Sequence, residues 1–66
     1  MQITINGNDK QVSQHATVTD LFNLVAINPE QVVVEHNGSI ISPADYDQTT
    51  LNDGDVIELI QFVGGG

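Results

Sequence analysis

The sequence predicts an α+β fold, a mixed sheet of about five strands with one main helix packed on one face. Met1, Ile3 and Ile5 alternate with Gln2, Thr4 and Asn6, the period of two that marks a half-buried strand. Val18, Leu21, Phe22 and Val25 recur at i, i+3, i+4 and i+7, which aligns them along one side of a helix. The runs at Val32–His36 and Val56–Gln61 are rich in β-branched and aliphatic residues and read as strands. One helix between an N-terminal hairpin and the later strands can cover one face of the sheet and leaves the other open.

Each element has a local cause. Asn6-Gly7-Asn8-Asp9 supplies a turn, because Asn and Gly tolerate the left-handed backbone of a tight hairpin, and Lys10 to Gln14, centred on Val12, is the expected return strand. Thr17 with Asp20 three residues on has the pattern of a capping box, and Asp20 also sits at the positive end of the helix dipole. Leu24 is expected to broaden the apolar stripe. Asn28-Pro29 is expected to end the helix, since the residue before proline is pushed out of the α region. After the third strand, Asn37-Gly38 makes a tight turn into a short fourth strand, Ser39-Ile40-Ile41. From Ser42 to Asn52 the chain is polar apart from Ala44, Tyr46 and Leu51, which predicts a crossing loop pinned by those three side chains. Asp53-Gly54-Asp55 turns the chain into the last strand, Val56 to Gln61, which runs straight into Phe62, Val63 and the glycines 64–66.

Sixty-six residues predict one domain, 1–66, because so short a chain buries only about 60% of its unfolded surface and cannot divide it between two cores. There is no cysteine, so neither a disulfide nor a thiolate metal site assists the core, and any sulfur chemistry must use a borrowed atom. Nine acidic residues against the single basic Lys10 give a net charge of −8, which disfavours nucleic acids and anionic lipid. The start has no basic segment followed by a long apolar one, and no stretch reaches the ~20 apolar residues of a membrane span. A soluble cytoplasmic protein is expected.

Parity along the strands divides the sheet residues between its faces. With Ile3, Ile5, Ile57 and Leu59 beneath the helix, Val56, Glu58, Ile60 and Phe62 point to the open side. Val32 and Val34 belong inside, because Glu35 of the opposite parity is almost never buried without a partner. Val33, Ile60 and Phe62 then form an exposed apolar patch beside the tail, to be weighed as a docking surface against ordinary scattered surface hydrophobes. The tail of Val63 and Gly64–Gly66 is similarly two-sided. Glycine can extend through a channel too narrow for other residues and presents an unshielded carboxylate, while a frayed end is the plainer alternative.

Recognisable catalytic machinery is lacking. Neither His15 nor His36 has a cysteine or second histidine at ligand spacing; His36 is expected to be a packed, hydrogen-bonded ring and His15 a solvated one. Asp53-Gly54-Asp55 reads as a turn, since the downstream ligands of a Ca²⁺ loop are missing. Ser13, Ser39 and Ser42 have no organised base and acid, and Gly64–Gly66 is followed by neither the helix nor the lysine of a phosphate loop. The group with chemical potential is the α-carboxylate of Gly66.

The segments Met1-Gln2-Ile3-Thr4-Ile5-Asn6-Gly7, Val34-Glu35-His36-Asn37-Gly38-Ser39-Ile40-Ile41 and Asp53 through Phe62-Val63-Gly64-Gly65-Gly66 resemble those of the ThiS family, the ubiquitin-like β-grasp sulfur carriers of thiamine biosynthesis. The resemblance spans the chain; His36 departs from it, where the family more often has an aliphatic residue. It implies a protein cosubstrate, not an enzyme, that binds no cofactor of its own. An E1-like adenylyltransferase of the ThiF type would use ATP with Mg to adenylate the Gly66 carboxylate, and a sulfur donor protein would displace AMP to leave a thiocarboxylate. A thiazole synthase of the ThiG type would then receive the sulfur. The resemblance makes Gly64 and Gly65 the tail and Ile60, Phe62 and Val63 the docking stretch. A molybdopterin-synthase small subunit, a ubiquitin-like protein modifier and a plain interaction domain are the competing readings; the modifier is weakened by the lack of basic residues before the glycines.

Overall fold

In the computed structural model, which describes residues 1–62, the period-two segments pair into one five-stranded sheet. The elements are β1 (Gln2–Ile5), β2 (Asn8–Gln11), α1 (Val18–Val25), a 3₁₀ turn at Pro29–Gln31, β3 (Val32–His36), β4 (Ser39–Ile41), a second 3₁₀ turn at Pro43–Asp45, and β5 (Val56–Gln61). The strand order is β2-β1-β5-β3-β4. The β1–β5 pair at its centre is parallel and the other pairs are antiparallel. Ile3, Ile5, Val32, Val34, Ile57 and Leu59 share one core with Val18, Leu21 and Phe22 of α1, as the parity argument requires. Tyr46 and Leu51 of the long crossing join that core, and the Tyr46 ring packs at a tilt on Phe22 with centroids 5.2 Å apart. Thr17 and Asp20 form the expected reciprocal contact, the Thr17 amide donating to the Asp20 carboxylate at 2.8 Å.

The boundaries differ from expectation in four places. The first hairpin closes in two residues, Asn6 and Gly7, both at positive φ (49° and 81°), so Asn8 and Asp9 belong to β2 and the strand ends at Gln11. Val12 lies beyond it, yet the pairing runs on: the Met1 amino group donates to the Val12 carbonyl at 2.8 Å and the Val12 amide to the Met1 carbonyl at 2.9 Å. The helix ends at Ala26, which takes the left-handed conformation (φ 55°), before Pro29 can act. Asn28 instead caps the following 3₁₀ turn, accepting from the Glu30 amide at 2.9 Å. Leu24 is half exposed and does not widen the buried stripe, and Ala44 is exposed, leaving Tyr46 and Leu51 to pin the crossing.

Both Asn-Gly turns also hold β5. Past the end of β1, the Asn6 side chain continues the pairing as a strand would, donating to the Leu59 carbonyl at 3.2 Å and accepting from the Leu59 amide at 2.8 Å. On the other side, the Asn37 amide donates to the Val56 carbonyl and the Val56 amide to Asn37 Oδ1, each at 2.8 Å. The strand leading to the tail is thereby fixed along both edges.

At the start of β5, the buried Asp55 carboxylate gathers three donors. Its Oδ2 lies 2.7 Å from His36 Nε2 and accepts from the Asn52 amide at 2.8 Å, while Oδ1 accepts from Asn37 Nδ2 at 3.1 Å. Burial pushes this carboxyl up, but the hydrogen bonds from Asn52, His36 and Asn37, with the charge of His36, outweigh burial and hold it below its ordinary 3.8. A depressed folded-state value means stability that is present above 3.8 and is lost as pH falls through the folded value. Asp55→Asn is expected to destabilise the fold at neutral pH by about 1–3 kcal/mol, because an amide turns one acceptor into a donor facing another donor. Its unfolding free energy should lack part of the wild-type fall below about pH 4, so the difference between the two proteins shrinks with acidification. Denaturant titrations from pH 2 to 7 check this; a difference independent of pH would remove Asp55 from the acid response.

Candidate functional site

The open face of the sheet carries the candidate site. Every second residue of β5 points there, and Val56, Ile60 and Phe62 are each close to half exposed. Ile60 is directly opposite Val33 of β3, and the Phe62 amide donates to the Gln31 carbonyl at 3.1 Å, so the backbone stays paired beyond the last strand residue. The structure therefore brings Val33, Ile60 and Phe62 together on one face, with Val33 half-buried beside Ile60. Val63, Gly64, Gly65 and Gly66 lie outside the described residues.

The face holds more than that patch. Ile40 of β4 is 70% exposed, the most exposed large apolar side chain of the described residues, and it stands opposite Glu35. Glu35 in turn stands opposite Glu58. From Phe62 through Ile60 and Val33, then Glu58, Glu35 and Ile40, to Val56, the band runs ~20 Å along β5 at about 3.3 Å per residue. Sequence reasoning missed Ile40, although the signal was present: a two-residue Asn37-Gly38 turn fixes Ile40 against Glu35 and hence on Glu35's face.

The remaining candidates have structural roles. His36 is the packed, hydrogen-bonded ring expected, bound to Asp55, and His15 is exposed in the connection before α1. Asp53-Gly54-Asp55 is a turn, with Gly54 at φ 85°, Asp53 accepting from the Gln2 amide at 2.8 Å and the Gly54 amide donating to the Gln2 carbonyl at 2.7 Å. Among the described residues no group of three acidic, histidine or cysteine side chains converges to hold a metal, and no helix is long and apolar enough to cross a membrane. What this arrangement can do chemically is present an apolar, acid-centred surface on β5, a strand paired along both edges.

The family model described as the ThiS family matches residues 3–66. The chain is 38% identical to the sulfur carrier protein ThiS of Bacillus subtilis, over 97% of this chain and 98% of that protein. It is 36% identical to a thiazole synthase of Paramagnetospirillum magneticum, over 100% of this chain but 20% of that protein. The chain thus spans about a fifth of the length of the thiazole synthases it matches. In three dimensions it is similar to the crystal structure of the thiamine biosynthesis protein ThiS from Geobacter metallireducens, with a TM-score of 0.86 and 36% identity over the whole of both chains.

Proposed function

The chain belongs to the ThiS family, and we propose that it carries sulfur for thiamine biosynthesis on Gly66 as a C-terminal thiocarboxylate. The observation that carries this reading is β5, a strand held on both edges that runs to Phe62, the residue before Val63 and the glycines in sequence, beside an exposed apolar face. A carboxylate is a poor electrophile until one oxygen becomes part of a leaving group. An E1-like adenylyltransferase of the ThiF type would supply that activation from ATP with Mg, the Gly66 oxygen bonding to the α-phosphorus as pyrophosphate leaves. Sulfide supplied by the sulfur donor then attacks the glycyl carbonyl and AMP departs with the oxygen, leaving the thiocarboxylate, so one sulfur replaces one oxygen. The glycines leave that carbonyl unhindered.

Within this scheme the chain is a cosubstrate: the adenylyltransferase holds the nucleotide, and the chain contributes the docking face and the reactive end. Val33, Ile60, Phe62 and Val63 form the apolar contact. A thiazole synthase of the ThiG type is the acceptor, a choice supported by relatives in which a segment similar to this whole chain is part of a thiazole synthase polypeptide. We place these steps in the cytoplasm. Incubation with ATP, Mg, the adenylyltransferase encoded in the same genome and a sulfur source is expected to raise the intact mass by the exchange of one oxygen for one sulfur. An unchanged mass, with the enzyme active on another carrier, would overturn the reading.

A further inference from the structure

We propose that Glu35 and Glu58 together form a seat for one arginine side chain of the activating enzyme, an inference that rests on the reading of the open face as the docking surface. The two residues are register partners on adjacent antiparallel strands, which puts their Cβ atoms about 4.5–5.5 Å apart on the same face. Like charges in that position repel. The described part of the chain offers them no relief: neither side chain accepts a hydrogen bond, and the ion pair that is present joins His36 to Asp55. Lys10 cannot reach them, because it lies on the outer strand β2 opposite the buried Ile3, three strands from β3 and at the parity of the helix side.

The surroundings dictate what must cover the pair. Ile40 flanks Glu35, Ile60 and Val33 form the next row towards the tail, and Val56 lies on the other side, so the carboxylates have apolar neighbours on three sides, with the polar Thr4 and Asn6 on the β1 side. A partner that buries these apolar neighbours also removes water from two neighbouring negative charges, which is strongly unfavourable unless it brings a positive charge of its own. A single guanidinium suits the geometry. It is planar, permanently charged, less strongly hydrated than an ammonium, and has donors on more than one edge, enough to meet both carboxylates. The apolar patch then supplies contact area, and the acidic pair sets the register of docking, which positions the chain end.

The test compares the affinity and association rate of the adenylyltransferase for wild type, Glu35→Gln, Glu58→Gln, the double variant and Asp45→Asn, with Phe62→Asp as the reporter of the docking face. Each Glu→Gln change should weaken binding at least about tenfold and flatten the salt dependence of the on-rate. The double variant should lose less than the product of the single losses, because the two carboxylates share one cation. Asp45→Asn makes the same change in net charge at an exposed site away from the sheet and should bind as wild type. The Glu→Gln variants should melt no lower than wild type, since a repulsion is removed. Wild-type affinity in both Glu→Gln variants with weakened Phe62→Asp would overturn the arginine seat and leave the docking face standing. Wild-type affinity in Phe62→Asp as well would overturn the docking face itself. Losses in Asp45→Asn equal to those at Glu35 and Glu58 would reduce the effect to net charge and also overturn the seat.

Discussion

Adding one residue after Gly66 is expected to lower the rate of thiocarboxylate formation by about a hundredfold or more, because displacement at a positioned carbonyl tolerates misplacement of about 1 Å at that cost. An extra residue relocates the carboxylate by up to ~3.6 Å. Gly65→Val should fail in the same assay for another reason: a β-branched side chain narrows the backbone conformations open to the tail and obstructs a channel shaped for glycine. Both variants should fold as wild type, since the last core residue of β5 is Leu59. Intact-mass kinetics with the adenylyltransferase, ATP and a sulfur source check the outcome alongside circular dichroism. Thiolation of the extended protein at the wild-type rate, without trimming, would show that Gly66 is not the reactive end.

Phe62→Asp is expected to weaken binding of the adenylyltransferase by a few kcal/mol, on the order of 2–4, by placing a carboxylate in a contact that loses water. The fold should persist. Phe62 is 48% exposed, and its backbone bond to Gln31 does not depend on the side chain. The substitution also adds a negative charge to a face that already carries Glu35 and Glu58, so some of its effect should respond to salt. Titration calorimetry at two ionic strengths checks both parts. Unchanged affinity in a folded variant would make Phe62 ordinary surface.

How much of the fold and site was legible follows from the range of the interactions involved. Strand periodicity placed Ile3, Ile5, Ile57 and Leu59 in the core and Ile60 and Phe62 outside it, because alternation is a property of the backbone itself and survives any arrangement of neighbours. The capping contact of Thr17 and Asp20 spans three residues, and a local pattern suffices for it. The end of α1 was misjudged because the left-handed conformation of Ala26, a residue with no intrinsic preference for it, has no signal in composition. The partner of His36 was also hidden: Asp55 is nineteen positions away, and the turn at Asn37 and the start of β5 meet only in the folded sheet.

By itself the sequence determined the secondary structure pattern, the two-faced sheet, the excess of acid and the glycine end, all of which are written in residue type and spacing along the chain. The tertiary structure alone decided which strands are neighbours. Pairing β3 with β5 set Val33 against Ile60 and Glu35 against Glu58, and the parallel β1–β5 pair put the tail-bearing strand at the centre of the sheet. Strand order depends on how the whole chain buries its apolar faces at once, a global minimum that no single segment encodes, and so the opposition of Glu35 and Glu58 on the open face became visible only when the sheet was assembled.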